Sequence, residues 1–108
     1  MAKGGLVELC AATEVAEDAP RRVEVDGMGY AVFKLGDEFI VTADQCTHGP
    51  GQLSEGTVMG EEIECPFHMG RFNLRTGEPA FPPCSEAVRV WTVHLVAGKL
   101  CIDPGEKR

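Results

Sequence analysis

Four side chains stand at spacings that suit metal ligation. Cys46-Thr47-His48 and Cys65-Pro66-Phe67-His68 form two mixed pairs separated by residues 49–64. Thiolate sulfur and imidazole nitrogen serve both structural zinc sites and iron–sulfur centres. In the common zinc finger a pair of cysteines comes first and a pair of histidines follows, typically on a helix. Here each pair carries one of each, so each can supply one ligand to each of two metals. That suits a two-iron cluster in which two histidines replace two cysteines on one iron. A tetrahedral zinc site uses the same ligand types and stays open as the alternative.

Such ligands need rigid support. Short runs rich in β-branched and aromatic residues alternate with turn residues, which predicts an antiparallel all-β domain. Strands are expected near 6–10, 21–25, 29–35, 38–43, 57–59, 62–64, 71–74, 88–96 and 99–103. Gly36-Asp37 and Ala97-Gly98 read as tight hairpin turns. Between Ala11 and Ala19, a stretch closed by Pro20, no more than one helical turn is expected. Residues 44–56 and 65–85 are dense in Gly and Pro and read as loops. The segment from about 44 to 85 is therefore expected to be a functional subdomain on a β base. No internal repeat or low-complexity tract is visible.

At 108 residues, the chain has the length of one domain with a modest core. A 44% hydrophobic and 25% charged composition is globular. The first residues carry no secretory signal, and no run approaches the roughly 18 to 20 apolar residues that cross a bilayer. A cytoplasmic protein is expected. The net charge of −7, from 17 acidic and 10 basic residues, disfavours nucleic acid and would steer encounters with basic protein surfaces. Five cysteines are odd in number, which favours metal-binding usage over a complete disulfide framework.

The two pairs, with Gly49-Pro50-Gly51 and Met69-Gly70-Arg71-Phe72 as their tails, resemble the cluster loops of Rieske proteins. The resemblance covers nearly the whole chain, with its motif core at 46–72. It implies a β-sandwich or barrel-like base, residues 1–43 and 86–108, carrying a small loop-rich cluster-binding subdomain. It also implies one [2Fe–2S] cluster, with Cys46 and Cys65 on one iron and His48 and His68 on the other, near a solvent-facing tip. Two thiolates and two neutral imidazoles around an oxidised core of charge +2 give a neutral site, whereas four thiolates would give −2. Reduction is correspondingly easier, by at least ~250 mV or ~6 kcal/mol relative to plant-type clusters.

Rieske proteins of respiratory and photosynthetic cytochrome complexes add a disulfide between the cluster loops and a serine and tyrosine hydrogen-bonded to the sulfurs. Gly51 and Phe67 stand at the two cysteine positions, and Gly70 and Phe72 at the serine and tyrosine positions. The loss of two hydroxyl donors places the expected potential at the low end of the Rieske range. The pattern resembles instead the free-standing Rieske ferredoxins of bacterial aromatic-ring-hydroxylating dioxygenase systems. That implies a monomeric one-electron carrier, without substrate chemistry of its own, between an NAD(P)H-dependent flavoprotein reductase and a terminal oxygenase. Transient, modest interfaces are expected. The other readings are a small subunit of an assimilatory nitrite reductase, a redox-sensing module and a zinc-binding interaction module.

The remaining candidates read as structural. His94 lies in the alternating run Val88 to Val96 and is expected to be a packed or surface residue. Cys10 and Cys101 fall in strand-like runs as small buried hydrophobes. Cys84 follows Phe81-Pro82-Pro83, a stretch resembling the family's proline-containing cover over the cluster. Gly49, Gly51 and Gly70 would let backbone amides approach the sulfurs. Pro66 and Phe67 would stiffen and shield the second loop, Arg71 would neutralise nearby acids or meet a partner, and Trp91 belongs in the core.

Overall fold

The computed structural model describes residues 6–17, 19–45, 51–66, 70–81 and 87–103. The strands are β1 (Val7–Ala11), β2 (Arg21–Val25), β3 (Met28–Leu35), β4 (Glu38–Ala43), β5 (Thr57–Met59), β6 (Glu62–Glu64), β7 (Arg71–Asn73), β8 (Pro79–Phe81), β9 (Val90–Trp91), β10 (Val93–Val96) and β11 (Lys99–Ile102). They form three antiparallel sheets, ordered β1-β11-β10, β2-β3-β4-β9 and β5-β6-β7-β8. Short 3₁₀ turns occupy Ala12–Glu14 and Leu53–Glu55, and among the described residues there is no α-helix. The single helical turn expected in 11–19 is the first of these.

The middle sheet is buried on both faces. Successive side chains of a strand point to opposite faces, so Ala31, Phe33, Ile40 and Val90 join a core with Leu53, Ile63, Phe72 and Leu74 of the β5–β8 end. Their neighbours Tyr30, Val32, Val41 and Trp91 join Leu9, Leu100 and Ile102 of the β1-β11-β10 sheet. Two-sided burial is why Tyr30-Ala31-Val32-Phe33 is a continuous apolar run. Trp91 is 1% exposed and meets Tyr30 edge-on, with ring centroids 5.0 Å apart.

Both expected hairpins are present. Leu35 pairs with Glu38 across Gly36-Asp37, and Val96 pairs with Lys99 across Ala97-Gly98, where both turn residues have positive φ. That combination defines a type I′ turn. A further two-residue turn, Asp26-Gly27, also has positive φ at both positions. Asp-Gly is itself a hairpin signal that strand spacing alone passes over.

Two expectations need correction. The run 88–96 is two strands: β9 pairs with β4 in the middle sheet, and β10 pairs with β11 in another. The chain changes partners at Thr92 while its apolar alternation continues, so periodicity could not reveal the break. The second is that 65–85 is not loop throughout, since β8 pairs with β7 through a bulge. Pro79 suits it because β8 is an edge strand, where proline's missing N–H leaves no ladder bond unmade.

Candidate metal centre

Each ligand pair is set in a segment whose ends the backbone ties together. After β4 the chain runs through Asp44 and Gln45 to Cys46 and returns at Gln52, which bridges Gln45. Leu53 N–H donates to the Asp44 carbonyl at 2.6 Å, and the Leu53 side chain is fully buried in the core. After β6, Cys65 N–H donates to the Gly70 carbonyl at 2.7 Å, directly before β7 begins at Arg71. The two segments meet at Gly56, where a Cβ would collide with the Glu64 carbonyl directly before Cys65. Only glycine lets the backbones come this close.

Of the four candidate ligands, Cys65 lies among the described residues and is fully buried, in one core cluster with Ile63 and Phe72. Cys46, His48 and His68 lie outside the described residues, as do Gly49, Phe67 and Cys84. Gly51 and Gly70 are buried and Pro66 is exposed. Phe72, which stands where respiratory Rieske proteins carry a tyrosine, packs into the core opposite Ile63.

Arg71 sits between two acids of the neighbouring strand. Its Nη1 lies 3.7 Å from Glu62 and its Nε 3.6 Å from Glu64. It thus neutralises nearby acids, as expected. The other cysteines lie elsewhere: Cys10 on β1 and Cys101 on β11 are buried. Burial pushes both thiols above their ordinary pKa of 9.0; Glu14 adds to the effect at Cys10 and Glu8 at Cys101, against the opposing charges of Arg21 and Lys99. His94 is half-buried on β10, in register with Cys101.

Sequence reasoning passed over Asp44. It is 2% exposed, and its carboxylate accepts from the Ser54 amide at 2.8 Å and from Arg22 Nε at 2.9 Å. No local pattern marks an acid whose partner is 22 positions away.

The donor chemistry fits an iron–sulfur cluster. Cys65 places a sulfur, a donor type that such a cluster takes, at a point where the backbone is closed by its hydrogen bond to Gly70. The family model for the Rieske [2Fe–2S] domain matches residues 5–92. The chain belongs to that family, whose cofactor is one [2Fe–2S] cluster.

Within it, the chain is similar to ferredoxin CarAc of Metapseudomonas resinovorans, at 44% identity over 94% of this chain and 95% of that one. Among solved structures it matches a Sphingomonas yanoikuyae B1 ferredoxin with a TM-score of 0.89 and 35% identity, covering 92% of this chain and 98% of that one. It also matches a chain in a complex of reduced oxygenase and oxidized ferredoxin in carbazole 1,9a-dioxygenase, with a TM-score of 0.86, 43% identity and 95% of each chain covered. No helix among the described residues is long and apolar enough to cross a membrane.

Proposed function

We propose that this protein is a one-electron carrier: the ferredoxin component of an aromatic-ring-hydroxylating oxygenase system, monomeric and without substrate chemistry of its own. It would take electrons from an NAD(P)H-dependent flavoprotein reductase and deliver them to a terminal oxygenase. The observation that carries the reading is the pair of backbone-closed segments, one leading through Cys46 and His48 and the other from the buried Cys65 through His68. Its similarity to ferredoxins over nine-tenths or more of both chains supports the assignment to this class.

In this reading Cys46 and Cys65 bind one iron and His48 and His68 the other, within a cluster-binding subdomain of residues 44–85 on a base of 1–43 and 86–108. When bound, the cluster accepts and releases one electron. The chain's own part is to hold its ligands still. The middle sheet anchors both segments through a shared core, and the Asp44–Leu53 and Cys65–Gly70 hydrogen bonds keep each segment closed. The acidic balance of −7 favours basic partner surfaces in brief encounters.

The test is the electron paramagnetic resonance spectrum of the dithionite-reduced protein, with iron and zinc analysis of the same sample. A rhombic signal of low average g with about two irons per chain is the expected result. Zinc without that signal would overturn the electron-carrier reading. Turnover of a terminal oxygenase with its reductase and this protein, and none without it, tests the partners.

A further inference from the structure

Asp44 is an acid in a place where a charge is costly. Each of its polar groups is engaged. Its amide donates to the Gly29 carbonyl at 3.1 Å and its carbonyl accepts from Leu53 at 2.6 Å. Its Oδ1 accepts from the Ser54 amide at 2.8 Å, and its Oδ2 accepts from Arg22 Nε at 2.9 Å. One residue thereby joins β2, β3 and both ends of the segment that carries Cys46 and His48.

The surroundings are shaped for this pair. A Cβ on Gly29 would lie 3.0 Å from Arg22 Nη2 and 3.5 Å from the Asp44 Cβ, so the glycine leaves room for the guanidinium to lie across β3. The Arg22 side chain keeps 40% exposure and its Nη1 also reaches Glu24 at 3.2 Å. A cavity of about 240 Å³, bordered by Arg22, Asp44, Gln45 and Gln52, opens beside it. Only the acid of the pair is buried, at 3% side-chain exposure against 40% for Arg22, so the guanidinium serves to satisfy a carboxylate that the Ser54 amide already holds in one place. A bare amide bond to Ser54 needs only an acceptor; the second oxygen, held by Arg22, also fixes the orientation of the carboxylate.

We infer that Arg22 and Asp44 form a positioning pair, which sets the closed geometry of the first ligand segment and through it the placement of Cys46 and His48 on the cluster. This rests on the ligand assignment proposed above. It assigns to Arg22, on a strand distant in sequence from both motifs, a share in holding the cluster.

The Arg22 guanidinium is half-exposed, but its replacement removes one of the two partners of the buried Asp44 carboxylate, so the g values, which a merely less stable fold would not move, are the deciding readout. The experiment uses the cluster-loaded protein as wild type, Arg22→Gln and Arg22→Lys, with Arg75→Gln as control because Arg75 makes comparable short pairs with Glu38 and Glu61. Two quantities are read: the resonance spectrum of the reduced protein, and the rate at which a chelator bleaches the visible absorption. Arg22→Gln is expected to shift the g values and to bleach about 10-fold faster, in line with the effect of other residues that support metal ligands. Arg22→Lys should recover part of both effects, and Arg75→Gln should behave as wild type. If Arg22→Gln matches wild type, or if Arg75→Gln moves as far as Arg22→Gln, the positioning role is wrong. A wild-type protein with no mixed-ligand signal would instead remove the ligand assignment itself, and this inference with it.

Discussion

The amide of Cys65 donates to the carbonyl of Gly70 at 2.7 Å, so the first residue of the second ligand pair is tied by its backbone to the residue from which β7 departs. The ligand assignment proposed above ties cluster loss to this thiol and not to cysteine content in general. Cys65→Ala is expected to abolish cluster incorporation, while Cys10→Ala and Cys101→Ala, in strands β1 and β11, retain two irons per chain. Iron analysis and visible absorption of the purified variants decide it. Full iron in Cys65→Ala would contradict the ligand assignment.

Phe72 bears no hydroxyl and packs into the core beside Cys65. With Gly70 at the other hydroxyl position, the midpoint should fall at the low end of the roughly −150 to +300 mV span of Rieske centres. Phe72→Tyr should raise it, by ~40 mV for one hydrogen bond of ~1 kcal/mol in a one-electron couple. Protein-film voltammetry reads both values; a wild-type midpoint well above ~0 mV would contradict the expectation.

Gly77 has φ +80°, and a Cβ there would strike the Val88 carbonyl, whereas Gly36, at φ +62°, faces open space. Gly77 N–H also donates to Asn73 and its carbonyl accepts from Val88, which joins the β7–β8 connection to the segment leading into β9. Gly36→Ala carries only the backbone strain, about 1 kcal/mol. Gly77→Ala adds overpacking and should lose ~2–4 kcal/mol. Urea unfolding of the two variants side by side checks the order; equal losses would show that the Val88 contact yields.

The Cys10 and Cys101 thiols are pushed up from 9.0, first by burial. The folded state therefore holds these protons more tightly than the unfolded chain does. Their contribution to stability is fully present below about pH 9 and is lost as pH rises through the folded values. Alkylation by iodoacetamide, which needs the thiolate, should be slower at pH 8 than for a small-molecule thiol. A rate at Cys10 equal to that of the free thiol would refute the shift.

Trp91 is buried between β4 and Tyr30, with the Arg89 guanidinium 4.6 Å from its ring. Trp91→Ala should cost ~3–5 kcal/mol, the usual price of emptying an aromatic site in a close-packed core. Thermal melts of the cluster-loaded variant would register it as a large fall in Tm; a change within error would mean the core collapses to fill the space.

Much of this architecture was legible in the sequence because it is local. A two-residue turn such as Gly36-Asp37 or Ala97-Gly98 is specified by the backbone freedom of its own residues, and strands such as Glu38–Ala43 announce themselves by composition. The Cys/His spacings likewise lie within a few residues of one another, and they sufficed to suggest the family.

What only the tertiary structure decided is which distant pieces meet. Val90–Trp91 and Val93–Val96 share one alternating pattern yet belong to different sheets. Pro79–Phe81 is a strand only because an edge was free beside β7. Asp44 could be seen as a buried anchor only once Arg22, Gly29 and Ser54 had been brought around it. A side-chain pattern records which face of a strand is apolar, but not which surface will cover it. That choice is made by packing between residues far apart along the chain.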